Sequence, residues 1–104
     1  MVAYLFAGQG AQFVGMGKDL YESFPQAKAI FDKADGALGF PLSRLCFEGP
    51  QQELTQTANC QPAILTMSIA AWEACKAVAR CPLPVARFVA GLSLGEYSAL
   101  VAAE

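Results

Sequence analysis

Val85-Ala86-Arg87-Phe88-Val89-Ala90-Gly91-Leu92-Ser93-Leu94-Gly95-Glu96 runs from an apolar, β-prone stretch into a serine flanked by glycines, and then into helix formers. Residues 85–90 do not alternate polar with apolar, apart from Arg87. That continuity suits a strand buried on both faces, as in a parallel sheet. Glu96 to Glu104 is rich in strong helix formers. G-x-S-x-G alone is a weak pattern. At a strand-to-helix junction it describes a nucleophile elbow, a sharp turn that lifts the serine hydroxyl above the sheet edge. Glycines on both sides remove the Cβ atoms that would collide with neighbouring backbone. The helix that follows aims its unpaired N–H groups and positive dipole end at the same point, where they can hold an oxyanion. Ser93 is therefore the candidate nucleophile. The plainer alternative is an ordinary serine helix cap between two glycines.

A second feature lies just past the other apolar run. Val2 to Phe6 reads as a buried strand, and Gly8-Gln9-Gly10-Ala11-Gln12 follows it. With Gly15 and Gly17, these residues form a loop whose backbone can approach a ligand closely, which makes Gly10 a candidate pocket residue. In an elbow layout one oxyanion donor is the N–H after the nucleophile, here Leu94, and the other comes from a loop after a different strand. Gln9 is the candidate for that second donor. The loop matches neither a P-loop nor the G-x-G-x-x-G fingerprint, so it gives little reason to expect nucleotide binding.

Between these features the sequence reads as helical. Lys18 to Phe24 predicts a short helix, and Pro25 opens a second that runs from Gln26 to Leu38 and stops at Gly39. Turns of helix are expected at Leu42 to Cys46 and Gln51 to Thr55. Asn59 is read as an N-cap with Pro62 in the first turn. Ala63 to Ala79 is then a long helix whose buried stripe is Ile64, Met67, Ala71, Ala74 and Val78. Cys81-Pro82-Leu83-Pro84 ends it. Phe31 and Trp72 are expected in the core, Arg87 in a surface ion pair, and Asp32, Asp35 and Glu48 in solvent. The order strand, glycine loop, helices, strand, turn, helix argues α/β with parallel strands.

Composition narrows the function classes. The chain of 104 residues is one domain at most. Hydrophobic residues make up 55% and charged ones 15%, against about 25% in average globular domains, which implies buried strands or a surface covered by something else. The net charge of −2, with no basic run, gives no reason to expect nucleic acid. Four cysteines (Cys46, Cys60, Cys75 and Cys81) form no C-x-x-C pair, and the chain has no histidine. A Cys/His zinc site is thereby excluded, and no metal is expected. The N-terminal apolar run breaks at Gly8, too short for a signal peptide or a membrane span. A cytoplasmic protein with reduced thiols is the expectation.

Three motifs together carry a family resemblance. Phe6-Ala7-Gly8-Gln9-Gly10-Ala11-Gln12 with Gly15-Met16-Gly17, Cys60-Gln61-Pro62-Ala63-Ile64-Leu65, and Gly91-Leu92-Ser93-Leu94-Gly95-Glu96-Tyr97-Ser98-Ala99-Leu100 occur in this order. The chain resembles the malonyl-CoA:acyl-carrier-protein transacylase family, which includes acyltransferase domains of fatty-acid and polyketide synthesis. The resemblance implies a three-layer, parallel-sheet, α/β-hydrolase-like acyltransferase core. Residues 1–104 would be its N-terminal part, with the remainder of the domain and a smaller inserted subdomain absent from this chain.

The resemblance also implies ping-pong transfer. Ser93 takes malonyl from coenzyme A as a serine ester and passes it to the phosphopantetheine thiol of an acyl carrier protein. Gln9 and Leu94 form the oxyanion hole, and no tightly bound cofactor is implied, the coenzyme A thioester being a substrate. Gln61 either lines the pocket floor and ties loops together or is simply a residue at a helix start. Two departures stand out. The family usually has histidine before the serine, where this chain has Leu92, a position that flanks the acyl pocket. The family's general-base histidine and carboxylate-binding arginine lie well downstream, so the chain is expected to be inactive without the missing C-terminal portion of the enzyme. An acyl hydrolase, a transferase for another acyl group, and a non-catalytic fragment that docks a carrier protein remain as alternatives.

Overall fold

The computed structural model describes residues 3–8, 10–78, 88–91, 98 and 101. Two strands, β1 (Ala3–Phe6) and β2 (Phe88–Gly91), pair in parallel with the register Ala3↔Phe88 through Phe6↔Gly91. Parallel neighbours need a crossover connection. Here five helices lie between them: α1 (Lys18–Ser23), α2 (Pro25–Leu38), α3 (Leu42–Glu48), α4 (Gln51–Thr55) and α5 (Thr57–Val78). The strand expected at 85–90 is seen over Phe88–Gly91, and its earlier residues, Arg87 among them, lie outside the described residues. Ser98 and Val101 are helical, as expected for the segment after the elbow motif.

The helices pack through an apolar centre made by α2 and α5, which meet most extensively. Ala27 and Phe31 of α2 face Ala63, Ala70 and Ala74 of α5, with Leu42, Cys46, Leu54 and Met16 closing the cluster. The alanines let the two helices approach closely, and Phe31 fills the space between them with no exposed surface. Burying such a phenylalanine contributes about 2–3 kcal/mol. Tyr21, Phe31 and Phe47 bring α1, α2 and α3 together as an aromatic cluster, with ring centroids 5.1 to 5.9 Å apart in edge or tilted geometry.

Local signals set most boundaries. Pro25 occupies the first turn of α2. Gly39 ends that helix at φ 76°, with its N–H donating to the Asp35 carbonyl at 3.0 Å. Three expectations need correction. The long helix starts at Thr57, so Asn59 lies inside it and its side chain instead donates to the Glu53 carbonyl at 2.9 Å, fastening the end of α4. The Gln56 carbonyl accepts from Asn59 N at 2.9 Å and Cys60 N at 2.8 Å, closing the first turn of the helix. Pro62 is accordingly inside the helix, where its missing N–H removes one backbone hydrogen bond.

The buried stripe of α5 holds at Ile64 and Ala74 and is wider than expected. Cys60, Ala63, Ile64, Ala70 and Ala74 are buried, with Met67 partly so. Trp72 is only half-buried, with the Lys76 ammonium 5.7 Å from its ring centroid. Two positions past Ala70, it points about 200° around the helix from the core stripe. Asp35 is the third correction. It lies partly buried and accepts from both the backbone N–H and the hydroxyl of Ser43, satisfying the start of α3 from the neighbouring helix. Asp32 and Glu48 are exposed as read, the first accepting from the Tyr21 hydroxyl at 2.9 Å and the second paired with Arg44 at 2.9 Å.

Gly17 marks the tightest backbone approach. At φ 80°, a Cβ there would sit 2.7 Å from Phe31 Cζ and 2.9 Å from Met67 Sδ. Gly39, at φ 76°, has open space around it. Gly17→Ala is therefore expected to destabilise the protein by about 2–4 kcal/mol, combining left-handed strain with overpacking. Gly39→Ala should cost only the strain, about 1–2 kcal/mol. Urea unfolding of the two variants checks the order; equal losses would contradict it.

Candidate active site

The register fixes where the chain leaves the sheet. Phe6 is opposite Gly91, so both strands end together, and the segments after them emerge at the same edge. The crevice outside the carboxyl ends of parallel strands is where α/β folds bind ligands. One emerging segment is the glycine loop, and the other begins the G-L-S-L-G motif. Ser93, Leu92, Leu94 and Gln9 lie outside the described residues.

The loop from Ala7 to Gly17 is described except at position 9. Ala11 N donates to the Gly8 carbonyl at 3.3 Å, closing a turn around Gly10. Gly10 is exposed, takes φ 108°, and donates its N–H to Gln12 Oε1 at 2.8 Å. With that N–H occupied, Gly10 offers a ligand its bare Cα rather than a donor. Further along, Val14 N donates to Gln51 Oε1 at 2.9 Å, and Gly15 N donates to the Cys46 carbonyl at 2.7 Å. Val14 also fills the space that a Cβ on Gly49 would need, its Cγ2 lying 2.8 Å from that point. The loop is thus fastened by the segment joining α3 to α4, and beyond it Met16 and Gly17 are buried in the helical core. Sequence reading passed over Gln12, Gln51 and Cys46, because contacts across 31 to 37 positions leave no periodic trace; only the short Gly10–Gln12 spacing, typical of a side chain closing its own turn, was open to it.

Gln61 is exposed in the second turn of α5. A groove of about 530 Å³ lies beside the loop, lined by Phe13, Gly15 to Leu20, Glu22 and Met67. Neither Gly10 nor Gln61 lines it. Ser98 is fully buried, and its hydroxyl has no hydrogen-bond partner among the described residues. No cluster of three or more histidine, cysteine, aspartate or glutamate side chains among the described residues could hold a metal ion. No helix among them is long and apolar enough to cross a membrane.

Comparison with known proteins fits this arrangement of loop, helices and strand. Residues 3–104 match the family described as acyl transferase domain. The chain belongs to that family. A malonyl CoA-acyl carrier protein transacylase of Bacillus subtilis (strain 168) is 58% identical over 102 residues, covering 98% of this chain and 31% of the relative. An acyl-carrier-protein S-malonyltransferase from Bartonella henselae superposes with a TM-score of 0.90 at 48% identity, covering 99% of this chain and 33% of that one. A malonyl-transacylase solved in complex with its type II polyketide-synthase acyl-carrier protein superposes at 0.84 with 42% identity, covering 97% of this chain and 32% of that one. The chain spans about a third of the length of the relatives it matches.

The thiols near this acyltransferase scaffold differ sharply in environment. Cys46 and Cys60 are buried and Cys75 is exposed, all three unpaired. Burial pushes the Cys46 thiol up to about 12 from an ordinary 9.0, with the nearby Asp35 carboxylate adding to the shift. Maleimide labelling of the native protein at neutral pH, read by peptide mapping, should modify Cys75 and spare Cys46 and Cys60. Rapid labelling of Cys46 would contradict the packing. A thiol whose folded value is raised holds its proton longer in the native state. Its stabilising contribution is therefore complete below about pH 9 and is lost as the pH rises through the folded value near 12. Urea midpoints measured across this window should fall more steeply for the parent than for Cys46→Ala.

Proposed function

We propose that residues 1–104 form the N-terminal part of a three-layer acyltransferase α/β domain that moves malonyl from coenzyme A to an acyl carrier protein. Ser93 is the nucleophile. Its Oγ attacks the thioester carbonyl of malonyl-CoA, the tetrahedral intermediate collapses, and the coenzyme A thiol leaves while malonyl stays as a serine ester. The phosphopantetheine thiol of the carrier protein then attacks that ester and regenerates the hydroxyl. The N–H groups of Gln9 and Leu94 hold the oxyanion in both steps. Gly10, Gln61 and Leu92 belong to the pocket around the acyl group. The 104 residues hold no histidine, so the base that takes the Ser93 proton comes from the remaining part of the domain.

The observation that carries this is the parallel register with Phe6 opposite Gly91. Ser93 is two residues beyond one strand end and Gln9 three beyond the other. At about 3.3–3.6 Å per residue, and with paired strands about 4.8 Å apart, the covalent chain keeps both within reach of one crevice. Family membership and the names of the relatives supply the acyl group and the carrier.

Leu92 favours a second reading, a transferase or hydrolase for a different acyl group. A leucine replaces the histidine usual beside the nucleophile and makes the pocket wall more apolar. Intact-mass spectrometry after exposure of the full-length protein to malonyl-CoA tests both. The malonyl adduct is expected on the parent and absent from Ser93→Ala, with transfer to added carrier protein. Labelling that survives the substitution would refute Ser93 as nucleophile. Coenzyme A release without acceptor, or preference for a longer acyl thioester, would favour the second reading.

A further inference from the structure

We propose that Gln51 is a positioning residue for acyl transfer: its carboxamide clamps Val14 and so sets the loop that carries Gln9. The proposal rests on the acyl-transfer reading above and names a residue outside the three motifs. Gln51 Oε1 accepts the Val14 N–H at 2.9 Å, while its Nε2 donates to Thr55 Oγ1 at 3.2 Å. The donor on Val14 fixes which end of the carboxamide faces the loop, because an amide NH₂ there would meet another N–H. Thr55, one turn further along the same helix, holds the carboxamide in that orientation. Helix α4 is itself anchored by Leu54, which has no exposed surface.

Among the described residues, two hydrogen bonds tie the stretch from Gly8 to Gly15 to α3 and α4, Gly15 N to the Cys46 carbonyl and Val14 N to Gln51, while Met16 N to the Phe13 carbonyl and Lys18 N to the Gly15 carbonyl join it to the residues that follow. The first is backbone to backbone and survives any substitution at position 46. The second depends on one side chain. Between Val14 and position 9 the loop is short and internally bonded, through Ala11 N to Gly8 O and Gly10 N to Gln12 Oε1. A displacement at Val14 is therefore passed along the loop instead of being absorbed. Oxyanion donors act only when held at hydrogen-bond distance from the developing charge, so a small shift lowers the rate without weakening thioester binding. Gln51 is itself exposed, so its replacement opens no cavity.

The test compares full-length parent, Gln51→Ala, Gln51→Leu and Gln51→Glu, with Ser93→Ala as control. Steady-state malonyl transfer and amide hydrogen exchange are the two readouts. Gln51→Ala and Gln51→Leu should lose about three- to tenfold in kcat with KM within about twofold. Their melting temperatures should stay within about 2 °C of the parent, while exchange over residues 8–14 accelerates. Gln51→Glu keeps an oxygen for the Val14 N–H and should retain kcat within about twofold and the parent's exchange. An unchanged kcat in Gln51→Ala, a loss confined to KM, or a Gln51→Glu variant as impaired as Gln51→Ala would overturn the proposal. A parent that transfers no malonyl would refute the acyl-transfer reading instead. Exchange over residues 8–14 then still decides whether the clamp exists, and unaltered exchange in Gln51→Ala sinks it.

Discussion

Eight residues in a parallel ladder join the two ends of this chain. Ala3–Phe6 and Phe88–Gly91 lie far apart in sequence, yet their pairing sets what the glycine loop and the elbow motif can do together. An antiparallel pair would send the two following segments to opposite edges of the sheet. A parallel pair sends them to the same edge, and the register aligning Phe6 with Gly91 leaves neither strand trailing the other. The crossover that makes this possible is the whole helical portion, α1 to α5. The stability of the α2–α5 packing is in this sense what keeps the strand ends beside each other.

The helical core also reaches into the loop. Met16 and Gly17 are core residues, and Gly17 is held against Phe31 and Met67 more closely than any side chain would allow. Val14 and Gly15 are fixed by Gln51 and the Cys46 carbonyl. A loop rich in glycine would otherwise lose much conformational entropy on ordering. Here its far end, Met16 and Gly17, is part of the packed structure, while Gly10, Ala11 and Phe13 face solvent.

Local chemistry was legible in the sequence wherever one residue dictates a backbone shape. Pro25 opens α2 and Gly39 closes it, because a fixed φ and a missing Cβ act without help from distant neighbours. Both strands, the short helices α1, α3 and α4 and the parallel order were readable from apolar runs and turn residues. What escaped depended on partners elsewhere. Asn59 looks like a cap, but the helix starts two residues earlier and the asparagine holds the Glu53 carbonyl instead. Asp35 looks like a surface carboxylate until α3 places Ser43 against it. Trp72 has the composition of a core residue and the wrong angle on its helix. For the site, Gly10 and Gln61 are placed, the first exposed in a turn at φ 108° and the second exposed on α5. Ser93, Gln9, Leu92 and Leu94 stand on the motif argument and family membership, since these residues lie outside those described.

The same ladder explains why so apolar a chain needs neighbours. Parallel strands are normally covered on both faces and flanked by further strands, and a two-stranded pair is marginal in water. Val101 is exposed on a helical segment beyond β2, while Ser98, one turn earlier, is fully buried. Three positions apart, the two lie about 60° apart around a helix, so the edge of the covered surface runs between them. The relatives are about three times as long as the matched region.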